Sequence, residues 1–460
     1  MASHAPKDPI VVIIGATGTG KSKLAVQLAT RFNGEIINGD AMQMYKGLPI
    51  ITNKMPDHER NGILHHLLDF IALEETPWTV NQFVKESSRI IDEIRSRGKL
   101  PIVVGGTHYY THALLFKDAT LAEDATESES QEVEGPEPFQ EYPILSKSTE
   151  EILAKLQEVD PDMARRWHPR DRRKIQRSLE IWLKTGRKAS EVYAEQKARK
   201  ADHHNEATCD GPDNVGQDGP GADENGFRYP TVLLWLEAED KALKERLNAR
   251  VDSMVADGLV DEAASMADLE ADLKRKGTPV DKSKGIWVSI GYKEMEPWLE
   301  SRQRQELDAA RSSRMLQEAV EPVKAGTRRY AKRQNRYIRI RLANALVKAG
   351  VLDKLFLLDC SALEQWKSAV QEPATRIVGS FLKGDMLPDP RSLSDLATRM
   401  LPAPDDPDGR PDRVARRCEI CDKILMTEAE WAGHLASRGH KKTAAARRRQ
   451  EVESQRSRPE

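Results

Sequence analysis

Apolar residues in this chain fall in short runs that hardly alternate with polar ones: residues 10–14, 35–38, 101–104, 231–236 and 354–358. Runs of this kind are expected of strands buried on both faces of a parallel sheet. Helical spacing fills the intervals. A helix is predicted over 23–31, directly after the first run. Residues 148–200 read as helical, with Ile152, Leu153, Leu156 and Val159 on one apolar stripe and Ile175, Leu179, Trp182 and Leu183 on a second. In a parallel α/β sheet the functional loops lie at the C-terminal ends of the strands. Three of the predicted strands end in conspicuous residues. The first runs into Gly15-Ala16-Thr17-Gly18-Thr19-Gly20-Lys21-Ser22, the second into Asp40-Ala41-Met42-Gln43, and the third into Gly105-Gly106-Thr107-His108-Tyr109-Tyr110.

The first of these is a G-x-x-x-x-G-K-S loop between a strand and a helix. Its glycines let backbone N–H groups turn inward onto phosphate oxygens, and the helix that follows adds its positive end. Lys21 supplies a fixed cation and Ser22 a hydroxyl for Mg²⁺. The loop specifies a phosphate or diphosphate without naming the ligand, and kinases, NTPases and diphosphate-using transferases all fit. Asp40 has three readings: a Mg²⁺ carboxylate, a general base, or a cap for the next helix. Met42 and Gln43 are placed to pack and hydrogen-bond against a base. The Gly105-Gly106-Thr107 turn suits close approach of backbone to a ligand, or is a plain strand-to-helix turn. His65 and His66 read as structural.

Near the end of the chain, Cys418-x2-Cys421-x12-His434-x5-His440 has the spacing of a C₂H₂ zinc site. Two thiolates on a hairpin and two imidazoles on one helix would close a tetrahedron, with Trp431 and Leu435 as its small core. Four protein ligands make such a site structural. The only other cysteines, Cys209 and Cys360, are isolated, so the chain has no disulfide framework and a reducing compartment is expected.

Composition adds segmentation and a partner. Residues 119–141 are acidic and Ser/Glu-rich, and residues 202–226 are rich in Gly, Asp and Asn; both are too polar to order themselves. The expected order is a catalytic core over 9–118 and 228–400, a helical insertion over 119–200 and a disordered insertion over 201–227. A Pro/Asp linker over 401–412, a finger over 413–445 and a charged tail over 446–460 follow. The fold class is therefore α/β: a P-loop parallel-sheet core with an inserted helical subdomain and a C-terminal C₂H₂ zinc finger. Net charge is only −2, yet residues 165–177 hold seven Lys/Arg against one acid, while 328–341 hold seven and 438–449 hold six, with no acid in either. Basic blocks beside a phosphate loop point to nucleic acid. No apolar run approaches the roughly 20 residues of a membrane helix. The N-terminal residues lack an apolar signal core and arginine. A cytoplasmic location is expected, with mitochondrial and nuclear pools compatible with it.

These residues together resemble the tRNA dimethylallyltransferases. The resemblance runs through 15–22 and 37–54, His65-His66-Leu67-Leu68-Asp69, and 103–110. It continues in 168–180, Ile290-Gly291-Tyr292-Lys293-Glu294 and 327–336, and covers most of 10–385. The finger is similar to that of the eukaryotic branch. Many members have Ser after the acidic residue where this chain has Ala41, and Gly39 stands where Ala or Ser is common. The resemblance implies transfer of a dimethylallyl group from its diphosphate to N6 of the adenosine 3′-adjacent to the anticodon. It implies Asp40 as base, Thr107 as the residue orienting the amine, and Lys21 as catalytic cation. The diphosphate would be held by Gly15, Ala16, Thr17, Gly18, Thr19, Gly20, Lys21, Ser22 and Arg250. The tRNA anticodon stem-loop would meet Asp40, Ala41, Met42 and Gln43, with Arg173, Lys174, Ile175, Gln176 and Arg177 on its phosphates. The implied cofactors are catalytic Mg²⁺ and structural Zn²⁺, and the expected state is a monomer. Two rival readings are a P-loop small-molecule or nucleotide kinase, and a non-enzymatic zinc-finger nucleic-acid-binding protein.

Overall fold

The computed structural model describes residues 4–116, 142–193, 195, 227–278, 280–303, 309–402, 416–425 and 428–456. The proposed disordered stretches 119–141 and 202–226, and most of the linker, lie outside these residues. The chain forms two compact units, one of residues 1–121 with 218–407, the other of residues 122–217 with 408–460. No described helix is long and apolar enough to cross a membrane.

The first unit is built on a six-stranded sheet: β1 (Ile10–Gly15), β2 (Gly34–Asn38), β3 (His65–His66), β4 (Leu100–Val104), β5 (Thr231–Glu237) and β6 (Leu355–Asp359). The order is β3-β2-β4-β1-β5-β6, and every neighbouring pair is parallel. All five predicted strands are present, displaced by no more than one residue at either end. The central strand shows why its sequence does not alternate. Ile10, Val12 and Ile14 enter one core and Val11 and Ile13 the other, and all five are fully buried. Each such side chain contributes about 1.5–3 kcal/mol of transfer free energy. The crossovers are helical: α1 (Lys21–Phe32) joins β1 to β2, and α2 (Val80–Ser96) precedes β4 behind a Thr79/Gln82 capping box.

β3 was not predicted. It is a two-residue edge strand registered on Ile36 and Ile37. His66 Nε2 lies 2.7 Å from Glu35 Oε2, and Arg97 and Lys99 also reach that carboxylate, at 2.6 and 2.9 Å. The histidines are structural, as their sequence suggested, but His66 has a carboxylate partner that the sequence did not suggest.

The second unit contains helices Thr149–Val159, Pro161–Arg166 and Arg172–Thr185 around Leu145, Ile152, Leu156, Ala164, Ile175 and Leu179. Ser148 and Glu151 form a capping box, and Asp160 caps the second helix through Met163 N at 3.1 Å. Within the stretch expected to be helical, new helices start at Asp160-Pro161 and Asp171, and residues 189–193 are helical again. In the same unit, β7 (Arg416–Arg417) and β8 (Ile424–Leu425) form an antiparallel hairpin.

Candidate active site and metal centre

The phosphate loop follows β1, and its backbone is set by close neighbours. Gly15 has φ +145°, and a Cβ there would lie 2.4 Å from the Leu236 carbonyl oxygen on β5. Gly20, at φ +88°, leads into α1 against the Trp366 ring, which a Cβ would meet at 2.6 Å. Thr19 is buried and its hydroxyl donates to Ala16 O at 2.8 Å; Lys21 Nζ donates to the same oxygen at 2.7 Å. Arg250 donates to Thr17 Oγ1 at 3.0 Å from the helix Asp240–Ala256. The loop residues and Arg250, separated in sequence, are therefore assembled together.

Asp40 follows β2. Asn38 holds its backbone, accepting the Asp40 N–H at 3.1 Å and donating to the Asp40 carbonyl at 3.0 Å. Asp40 Oδ1 accepts the Met42 N–H at 3.1 Å, closing a turn ahead of the short helical turn Met42–Met44, whose N-cap is Ala41. The other oxygen, Oδ2, faces Gly106, where a Cβ would lie 2.8 Å from it. The Gly105-Gly106 turn is more than a strand ending. A Cβ on Gly105 would sit 2.2 Å from the Gly39 backbone, and one on Gly106 would sit 2.5 Å from Gln334 Nε2. Thr107 Oγ1 accepts the Ala41 N–H at 3.0 Å, which leaves its own O–H as a donor. At Gly39, by contrast, the nearest atoms to a Cβ are 3.6–3.7 Å away, so there is room for the Ala or Ser common in the resembled family.

Burial sets the charges. Desolvation pushes the Lys21 ammonium down to about 8, opposed by the Asp40 charge. Desolvation raises the Asp40 carboxyl above its usual range, opposed by the Met42 N–H and by Lys21 and Arg250. Desolvation also brings Arg250 down to about 10, with Asp40 opposing. His108, the first residue of α3 (His108–Leu115), is pushed down to about 3 by burial and by Lys21, so its imidazole is neutral. A half-buried carboxylate and two half-buried cations thus share one site at the ends of β1, β2 and β4.

The segment after Asp40 is pinned from several sides. Gln43 Nε2 donates to Asn53 O at 2.9 Å, and Lys54 Nζ meets Asp69 Oδ1 at 2.6 Å. Glu262 accepts the N–H groups of Ile50 and Ile51 at 2.9 and 2.8 Å. Ala41, Met42 and Gln43 remain partly exposed. Of the basic block, Lys174 pairs with Asp171 at 2.8 Å and Arg177 with Glu180 at 3.2 Å, both on one helix. The Arg173 side chain lies outside the described residues. Ile175 is fully buried in the helical core. It is corrected here from a candidate RNA contact to the residue that seats the helix, because an apolar side chain with no exposed surface has nothing to offer a phosphate.

The four predicted metal ligands converge. One ligand atom from each of Cys418, Cys421, His434 and His440 lies within 4.8 Å of the others. His440 Nδ1 is 3.6 and 3.5 Å from the two sulfurs and 3.1 Å from His434 Nε2. Two soft thiolates and two imidazoles at these spacings fit a tetrahedral Zn²⁺. Two details differ from expectation. The histidines lie on successive helices, Glu428–Ala436 and Arg438–Arg456, because the chain breaks at Ser437. Leu435 is 40 % exposed and forms no core, whereas Trp431 is half-buried, with the Arg416 guanidinium 5.2 Å from its ring centre.

Residues 43–341 match the family described as IPP transferase. The chain belongs to this family. The phosphate loop of this chain lies ahead of the matched region. The chain is 36% identical to the tRNA dimethylallyltransferase of Schizosaccharomyces pombe over 97% of each chain. It is 35% identical to that of Homo sapiens, over 96% of this chain and 87% of the other. A solved structure of a eukaryotic dimethylallyltransferase acting on tRNA superposes with a TM-score of 0.71 at 31% identity, covering 98% of this chain and 99% of that one.

Within this IPP transferase core, several site residues had no individual role in the sequence reading. Gln334, 4% exposed, lies on the long helix Ala309–Tyr337. It accepts the Thr17 N–H at 2.8 Å and donates to the Gly106 carbonyl at 2.9 Å. It thereby ties the phosphate loop to the turn facing Asp40. Tyr330, one turn earlier, lies near Gly106 and Asp40. Its i,i+4 spacing to Gln334 was the available signal. Glu237, the last residue of β5, is buried and pushed up to about 7 by desolvation, and receives Asn335 Nδ2 at 2.7 Å.

Proposed function

We propose that this chain transfers a dimethylallyl group from dimethylallyl diphosphate to N6 of the adenosine 3′-adjacent to the anticodon of a tRNA. The observation that carries the reading is an intact phosphate loop joined through Gln334 to a turn that faces a half-buried carboxylate, Asp40. The names of its relatives support it.

The loop N–H groups, Lys21 and Arg250 receive the diphosphate. As the allylic C–O bond breaks, its electron pair goes to the diphosphate, and these cations stabilise the growing charge. The allylic carbon tolerates the positive charge left behind. The adenosine N6 lone pair forms the new C–N bond, and Asp40 takes the N6 proton. A raised carboxyl pKa makes Asp40 a stronger base than an exposed aspartate. The Thr107 hydroxyl orients the amine. The base must leave the stack to reach this site, and Met42 and Gln43 line its approach. Ser22, on the first turn of α1, fits a Mg²⁺ that takes most of its ligands from phosphate oxygens and water. Mg²⁺ would neutralise the departing diphosphate.

The RNA is held by cations. On the long helix, Arg329, Lys332, Arg333 and Arg336 are exposed, and none pairs with a described carboxylate within 4 Å. Lys174 and Arg177 would add phosphate contacts by exchanging their intrahelical partners. The donor and base sites come from one chain, in keeping with a monomer. The buried thiol of Cys360 and the converging Cys418 and Cys421 suit a reducing, cytoplasmic setting.

The test is incubation with tRNA and labelled dimethylallyl diphosphate, and separately with ATP. Label recovered as N6-dimethylallyladenosine supports the reading. Phosphoryl transfer from ATP without prenylation would replace it with the kinase alternative.

A further inference from the structure

Arg246 lies one turn before Arg250 on the helix Asp240–Ala256, on the face that meets the phosphate loop. It forms no ion pair with a described carboxylate. Its guanidinium instead spans three backbone carbonyls. NH1 donates to Gly18 O at 3.2 Å, and NH2 donates to Cys360 O at 2.9 Å and Ser361 O at 3.2 Å. Gly18 is held by this helix a second way. It has φ +81°, and the space a Cβ would need is filled by Leu247 Cδ2, 2.8 Å away.

From this geometry we infer that Arg246 is a positioning residue for the donor diphosphate. A trans peptide directs its C=O and the next N–H to opposite sides. By fixing the Gly18 carbonyl toward the helix, Arg246 turns the Thr19 N–H the other way, as an anion-cradling loop requires. The two carbonyls after β6 anchor the guanidinium, so the loop after β1 is locked to the loop after β6. Arg246 also adds a positive charge beside the loop. The guanidinium reaches the two loops through separate nitrogens held in one plane, NH1 to Gly18 and NH2 to Cys360 and Ser361, a spacing that a point-like ammonium on a flexible stem does not reproduce. Arg250 meets a side-chain oxygen and lies nearer Asp40's influence, whereas Arg246 acts through the backbone.

The inference rests on the donor reading of the phosphate loop. It is tested with R246Q and R246K in the full-length protein. The measurements are binding of inorganic pyrophosphate, KM and kcat for dimethylallyl diphosphate, tRNA affinity and thermal midpoint. R246Q is expected to weaken pyrophosphate and raise the donor KM by about ten- to a hundredfold, the usual scale for charged hydrogen bonds. R246K is expected to recover no more than a small part of this, and tRNA affinity to stay within about twofold of the parent. Unchanged pyrophosphate affinity in R246Q overturns the positioning role, as does full rescue by R246K, which would reduce Arg246 to a point charge. Equal losses of pyrophosphate and tRNA affinity with a lowered thermal midpoint in both variants would also overturn it, marking a residue that only stabilises the fold. A parent protein that binds pyrophosphate but does not use the donor would refute the functional reading and leave the loop geometry intact.

Discussion

Gln334 accepts the backbone N–H of Thr17 at 2.8 Å across 317 residues of sequence. The same side chain donates to the Gly106 carbonyl, so one buried amide ties the phosphate loop to the turn that faces Asp40. Gln334→Ala would leave a buried N–H and a buried C=O without this partner, at about 1–3 kcal/mol each. Donor kcat/KM is expected to fall at least tenfold, roughly 1.4 kcal/mol, with tRNA affinity retained. Steady-state kinetics with both substrates checks this, and a variant with parental donor kinetics would contradict it.

Gly106 presses the same point from the other side. In Gly106→Ala the methyl would lie 2.5 Å from Gln334 Nε2 and 2.8 Å from Asp40 Oδ2. Overpacking costs about 1–3 kcal/mol. Because both neighbours are site residues, the loss should appear in kcat more than in stability. The checks are kcat at saturating substrates and the thermal midpoint. A variant that loses stability while keeping its kcat would show the turn to be structural only.

The charge of Lys21 predicts a pH limb. Its ammonium titrates near 8 in the free protein because burial disfavours the charged form. It is charged below that pH and neutral above it. The donor kcat/KM, which reports the free enzyme, should therefore fall as pH rises through about 8. Lys21→Ala should be slower throughout and lack this limb. A parental profile flat to pH 10 would contradict the assignment.

Much of this site was legible along the chain, for a physical reason. The five predicted strands are buried on both faces, so their sequences carry uninterrupted apolar runs. The residues at their ends, Gly15 to Ser22, Asp40 and Thr107, are then placed by topology alone. β3 left no such trace, since two adjacent histidines, of which His66 meets Glu35 across 31 residues, have neither apolar run nor alternation. Gln334 was hidden in a basic run, where a neutral amide stands out only once the helix is seated against the phosphate loop. Ile175 belongs both to an apolar helical stripe and to a block of cations, and its burial decides for the stripe. The break at Ser437 was missed because x5 spacing fits either one helix or two.

The finger should depend on its metal. Cys418, Cys421, His434 and His440 sit in a module with a two-by-two-residue hairpin and little apolar core, and modules of that size fold with their zinc. Chelation or Cys418→Ser is expected to remove about one Zn²⁺ per chain and unfold the region around Trp431. The exposed cations Arg438, Lys441 and Lys442 would then leave an ordered helix, lowering tRNA affinity moderately while kcat at saturating tRNA is preserved. Metal analysis with kinetics at two salt concentrations measures both effects. A collapse of kcat at saturating tRNA would place the finger within the active enzyme.

On the proposed reading, prenyl transfer occurs at Asp40, beside a diphosphate held by the phosphate loop. Single-turnover prenyl transfer to a tRNA anticodon stem-loop, with parent and Asp40→Asn compared at saturating donor, tests it most directly. Asparagine keeps an oxygen to accept the Met42 N–H but cannot take the N6 proton. The chemical rate should fall by about 10²- to 10⁴-fold, the usual share of a general base, with tRNA affinity largely unchanged. A variant within about threefold of the parent, far below that range, would show that Asp40 is not the base.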